Sequence, residues 1–108
     1  MSVELDEQTL DLVFVNWLLM YLADDQAATL LDRIRSWLRP GGTLFLRESC
    51  FSASDPSAPH PNTRYRAGRF YADALASRFS ISAEGNIKVY EELLANPNQL
   101  FWVARKDP

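Results

Sequence analysis

The sequence predicts an α/β fold of parallel strands joined by a helix, with an antiparallel hairpin at the C-terminal end. Three observations carry that expectation. Leu12 to Val15 is an unbroken apolar run, as in a strand buried on both faces. Ala27, Leu30, Leu31, Ile34, Trp37 and Leu38 then recur at helical spacing, with Asp32, Arg33, Arg35 and Ser36 on the other side. Thr43 to Glu48 reads as the returning strand. Parallel strands joined by a helix connect with right-handed sense in nearly every sheet, so both end on one edge. Open α/β sheets bind ligands along that edge, which here holds Asn16, Trp17, Glu48 and Ser49.

Taken in order, residues 1–10 are polar and acidic and carry no clear element. The segment Asn16 to Leu22 crosses from strand tip to helix. Leu18, Leu19, Met20 and Leu22 read as core, whereas Asn16 and Tyr21 place polar groups at the ligand edge, where each must find a partner. Asp24 is the expected helix N-cap, and Arg35 and Arg39 sit where cations favour a helix end. Pro40-Gly41-Gly42 stops the helix and makes the turn back.

Beyond Glu48, the connection from about Phe51 to Gly68 exceeds the roughly 12–15 residues of a plain loop, which makes it a lid over a site or a linker. Ser52 to Pro61 reads as linker. Arg64, Tyr65, Arg66, Arg69 and Tyr71 then concentrate cationic and phenolic donors, and arginine forks match phosphate geometry. Phe70 to Phe79 is an expected helix with Phe70, Ala74 and Leu75 inward. From Ser80 the pattern turns to period two, with Ile87 and Val89 alternating with polar neighbours. Leu100 to Val103 is a last strand, and Asn96-Pro97-Asn98 marks the turn of an antiparallel hairpin closing the sheet edge. That makes about four strands, the first of which looks central, so the chain reads like the later half of a larger α/β domain.

Composition narrows the function classes. The 108 residues make one small domain, and a net charge of −3 without a basic stripe argues against a nucleic-acid partner. One cysteine, Cys50, excludes an internal disulfide and fits a reducing compartment. The N-terminus lacks a signal-peptide core, and the longest apolar run, Trp17 to Leu22, is far shorter than the roughly 20 residues that cross a bilayer. A cytoplasmic protein without a membrane partner is expected. One histidine, His60, and one cysteine make neither a zinc cluster nor a Cys–His pair within the chain, and Gly41-Gly42 after a helix is a turn, not a phosphate loop. No metal site is expected, and Cys50 reads as a packed residue.

Asp11 to Phe14 followed by Leu38-Arg39-Pro40-Gly41-Gly42-Thr43-Leu44 resembles the fourth strand, helix and fifth strand of class I S-adenosylmethionine-dependent methyltransferases, where an LKPGG turn is common. Asn16 to Leu22, Arg47 to Phe51, and Tyr65-Arg66-x-x-Arg69-Phe70-Tyr71 look like three blocks, in order, of the phosphoethanolamine N-methyltransferases of plants and nematodes. Asn98 to Trp102 is similar to the closing strand of that family. The resemblance covers about residues 11–105 and implies a partial Rossmann-like class I methyltransferase fold, with S-adenosylmethionine as methyl donor. The implied reaction methylates phosphoethanolamine towards phosphocholine by in-line displacement, largely through positioning.

By the same resemblance, Tyr21 stands near the amine as the catalytic residue, able to orient or deprotonate it. Arg64, Tyr65 and Arg66 hold the phosphate, Tyr71 adds a donor, and Asn16 and Trp17 lie beside the cofactor. The chain departs from the family in two ways. It has no glycine-rich turn in a strand–GxG–helix setting, since its glycines are Gly41, Gly42, Gly68 and Gly85, and it has no N-terminal substrate-covering segment. Residues 1–108 are therefore expected to be the C-terminal half of a methyltransferase domain, with a complementary N-terminal half as partner. Alone, the chain is expected neither to bind S-adenosylmethionine tightly nor to turn over. The alternatives are another small-molecule acceptor on the same fold, or a non-catalytic subunit whose strand edge pairs with another chain.

Overall fold

Strand β1 (Leu10–Asn16) and strand β2 (Leu38–Ser49) run parallel, joined by helix α1 (Asp24–Trp37), as the apolar spacing predicts. This is a computed structural model, and it describes residues 5–50, 65–95 and 97–108. The expected lid or linker therefore lies almost wholly outside the described residues, as do Arg64 and His60. Helix α2 (Gly68–Ala76), strand β3 (Ser80–Asn86), a π-helical turn (Val89–Leu93) and strand β4 (Gln99–Arg105) complete the described chain.

The sheet order is β1-β2-β4-β3. The C-terminal hairpin is antiparallel, as expected, but β4 inserts between β2 and β3, and β3 forms the edge. The second strand of the reading also ends earlier than its alternation suggests. Ile87 N–H closes onto Gln99 O at 2.8 Å, and the chain then leaves the sheet, so Val89 lies in the π-helical turn.

Two local expectations change. Helix α1 is capped at Ala23 rather than Asp24. The Gln26 side chain accepts the Ala23 N–H at 2.9 Å, which leaves Asp24 and Asp25 to complement the positive end of the helix from its first turn. The helix ends at Trp37, ahead of Pro40-Gly41-Gly42, and strand pairing already begins at Leu38. Between the pairs Leu10–Leu38 and Leu12–Thr43 the second strand carries the extra residues as a bulge. Gly41 has φ +81°, and a Cβ on Gly42 would meet Arg39 O at 2.8 Å.

One core forms, on one face of the sheet. Val15, Leu44, Leu46, Trp102 and Ala104 meet Leu30, Leu31 and Ile34 of α1 and Tyr71 and Leu75 of α2. The opposite phase of β1, which looked buried on both faces, is open instead: Leu12 is 61% and Phe14 55% exposed. Among the described residues β1 is a sheet edge, and no helix covers that phase. Phe14, Phe45 and Phe101 stack across β1, β2 and β4 on this open face, with centroids 5.1 and 6.0 Å apart.

Candidate functional site

The carboxyl tips of β1 and β2 meet as the topology requires. Asn16 pairs with Arg47, and Trp17 N–H donates to Arg47 O at 2.9 Å. Trp17 has φ +52°, a left-handed backbone that turns the chain off the strand. Its indole N–H donates to Gln99 Oε1 at 2.8 Å, and Gln99 in turn donates to Ser49 Oγ at 2.8 Å. The Arg47 guanidinium lies 5.6 Å from the centre of the indole ring. Trp17 is thereby fixed as a wall of the tip, while Asn16 keeps an exposed side chain.

A single 3₁₀ turn, Leu19–Tyr21, follows. It buries Leu19 and Met20 and presents Tyr21, 52% exposed. Two side chains hold this turn from opposite ends of its hydrogen-bonding system. Glu48, at the end of β2, accepts Leu19 N–H at 2.7 Å and Leu18 N–H at 3.2 Å through the same oxygen, Oε1. Arg66 donates to Leu19 O at 2.9 Å and to Leu22 O, so its guanidinium brackets Tyr21 through the main chain. A charge-assisted bond from Arg66 Nε to Asp24 Oδ1 at 2.8 Å ties the same guanidinium to the start of α1.

Burial sets the electrostatics. Glu48 is fully buried, which pushes its carboxyl up to about 7 against the opposing pull of the Leu19, Leu18 and Met20 N–H groups and of Arg66. Its second oxygen, Oε2, has no hydrogen-bond partner among the described residues. Tyr71 is wholly buried; that burial pushes its hydroxyl up to about 12, although the hydroxyl accepts a hydrogen bond from Arg66 at 3.2 Å. Burial and the neighbouring Glu48 push the Cys50 thiol up to about 12 as well, which fits a packed residue. Burial draws the Arg66 pKa down, but its bonds to Tyr71 and Asp24 outweigh that and raise it further.

The structure thus brings Asn16, Trp17, Tyr21, Arg66 and Tyr71 to one end of the sheet, but not to one surface. Asn16 and Tyr21 face outward. The Arg66 side chain is only 8% exposed and bonds to Asp24, Leu19 O, Leu22 O and Tyr71, an inward-facing use of a fork expected to meet phosphate. Tyr71, also expected as a substrate donor, is core under that fork. Tyr65 is half-buried immediately before it, and Arg64 lies outside the described residues. Sequence reasoning placed Glu48 at this edge without a part to play. The signal for its burial was there: Glu48 continues the inward phase of Leu44 and Leu46. Among the described residues no cluster of three metal-ligating side chains occurs.

Comparison with known proteins places this arrangement. A methyltransferase dependent on S-adenosylmethionine from Mesorhizobium loti matches 97% of the chain, and the chain covers 66% of it, with a TM-score of 0.71 at 17% identity. The fold is thus that of class I S-adenosylmethionine-dependent methyltransferases, carried in part. Within that class the chain resembles the phosphoethanolamine N-methyltransferases. It is 39% identical over 97% of its length to phosphoethanolamine N-methyltransferase 1 of Triticum aestivum, and 38% identical to that of Arabidopsis thaliana. The structure of Haemonchus contortus phosphoethanolamine N-methyltransferase 1, in complex with phosphoethanolamine and S-adenosylhomocysteine, matches 99% of the chain with a TM-score of 0.92 at 28% identity. The chain spans 24% of the length of both plant relatives and 27% of the nematode protein. No protein-family model matches the chain.

Proposed function

We propose that the chain is the C-terminal half of a methyltransferase domain that transfers methyl groups from S-adenosylmethionine to phosphoethanolamine, towards phosphocholine. The observation that carries this reading is Tyr21: a phenol held outward at the carboxyl tips of two parallel strands, on a turn pinned by Glu48 and Arg66. A residue fixed through its main chain, with more than half of its surface exposed, suits the orienting of a small amine. The similarity to relatives named for this reaction supports the acceptor.

The cofactor fits this chain in part. When bound, S-adenosylmethionine supplies the electrophilic methyl group. Asn16 and the fixed Trp17 form one wall at the β1 tip, but no glycine stands there to let backbone approach a ligand. Gly41 and Gly42 lie at the opposite end of β2, Gly68 opens α2, and Gly85 is in β3. The remaining walls come from a complementary half, which also covers the outer edge of β1 and the stacked Phe14, Phe45 and Phe101. In this scheme Tyr21 orients or deprotonates the amine. Arg64 and Tyr65 grip the phosphate, while Arg66 and Tyr71 brace the turn from beneath.

Calorimetric titration tests the reading. The chain alone is expected to give no tight binding of S-adenosylmethionine, and a mixture with a complementary N-terminal half is expected to bind it and methylate phosphoethanolamine. Tight binding by the lone chain would refute the division of the site. Methylation of unphosphorylated ethanolamine with equal efficiency would move the acceptor to another class.

A further inference from the structure

We propose that Glu48 is a positioning residue for Tyr21: its ionised carboxylate seats the 3₁₀ turn Leu19–Tyr21 through the Leu18 and Leu19 N–H groups, and its protonation loosens that seat. The inference rests on the reading of Tyr21 as the catalytic residue, and it assigns regulation of that site to a residue that touches neither substrate nor cofactor.

The geometry is specific. A 3₁₀ turn of three residues has too few internal hydrogen bonds to stand alone. Within this one, Tyr21 N–H and Leu22 N–H return to Leu18 O and Leu19 O, which leaves the N–H groups of Leu18, Leu19 and Met20 at its start without an acceptor in the turn. Glu48 Oε1 takes those of Leu18 and Leu19, at 3.2 and 2.7 Å, and the Met20 N–H also pulls on the carboxylate. Bonds to an ionised acceptor are roughly twice as strong as those to a neutral one. Oε2 has no partner among the described residues, so a proton can be taken up there without breaking either bond outright. Protonation therefore weakens the seat instead of abolishing it. The buried phase of β2 fixes the carboxylate itself, because Glu48 lies opposite Leu100 on β4 and next in phase to Leu46.

Among the described residues the charged and titratable groups facing Glu48 are few. Cys50 approaches from β2, Tyr71 from α2 and Arg66 from the residues before it; Asp24 reaches the group only through Arg66. Cys50 and Tyr71 titrate at about 12, and Arg66 higher still, so among these groups Glu48 alone changes charge near neutrality.

The test is a pH titration of the chain by nuclear magnetic resonance, following the Leu18 and Leu19 amide protons and the Tyr21 ring. The expected result is one shared midpoint near 7 for all three, with the amides moving downfield as Glu48 ionises. In E48Q, which keeps the acceptor oxygen and the volume, all three are expected to stay flat over the same range. A Tyr21 response that survives the substitution comes from a group other than Glu48 and overturns the proposal. So does a wild-type titration in which the two amides move and Tyr21 does not. The wild-type measurement decides the matter by itself if E48Q fails to fold. Neither substrate nor cofactor is present, so this result and the calorimetric one fail independently.

Discussion

The two faces of the sheet are built from the same kind of residue and meet different fates. Facing the helices, Val15, Leu44, Leu46, Trp102 and Ala104 are sealed beneath α1 and α2. On the reverse, Leu12 and Phe14 stand more than half exposed, and Phe45 and Phe101 are half-buried in a stacked row. Alternation along a strand distributes side chains between faces, but an apolar residue is stabilising only where something covers it. The closed face therefore holds this chain together. On the open face Leu12, Phe14 and the stacked rings lie under no helix among the described residues.

The sharpest way to break that comparison is to truncate one residue on each face. Leu46→Ala is expected to cost about 3 kcal/mol in denaturant unfolding, through lost burial and a cavity under both helices. Next in size is the pH dependence of Glu48, also on the closed face. Its folded value of about 7 lies above the ordinary 4.5, so its contribution to stability is complete below pH 4.5 and is lost as pH rises through about 7. The loss is about 3 kcal/mol at most, and it should vanish in Glu48→Gln when unfolding is compared at acid and alkaline pH. Phe14→Ser on the open face is expected to cost about 1 kcal/mol at most, mainly its ring contact with Phe45, while weakening association with a complementary half. A cost equal to that of Leu46→Ala would mean that the open face is covered in solution. The smallest effect on folding is expected from Tyr21→Phe, within about 0.5 kcal/mol, because the residue is more than half exposed. In a reassembled enzyme the same change should slow methyl transfer by about 100-fold.

Much of this was legible in the residues. The parallel pair, its helix and the shared edge of the two strand tips followed from an apolar run and a helical period, two signals strong enough to survive without tertiary context. The closing hairpin was legible as a hairpin, yet nothing local says which of its strands docks on β2, so the insertion of β4 was not. The open face of β1 was hidden for a related reason: a run that is apolar in both phases does not show which phase lacks a cover. Composition likewise could not separate an arginine meant for phosphate from one consumed inside the protein. Arg66 lies in a donor-rich motif, but Leu19 O, Leu22 O and Asp24 claim its fork from positions 42 to 47 residues away. Glu48 was visible at the edge, and only its phase with Leu44 and Leu46 hinted that the carboxylate turns inward.

The outer side of β1 has one further consequence, for how folding of this molecule is counted. Among the described residues that strand offers a row of unclaimed main-chain donors and acceptors, which any chain that arrives extended can satisfy, including another copy of itself. Its midpoint of unfolding should then climb with protein concentration, because mass action rewards whichever state has company.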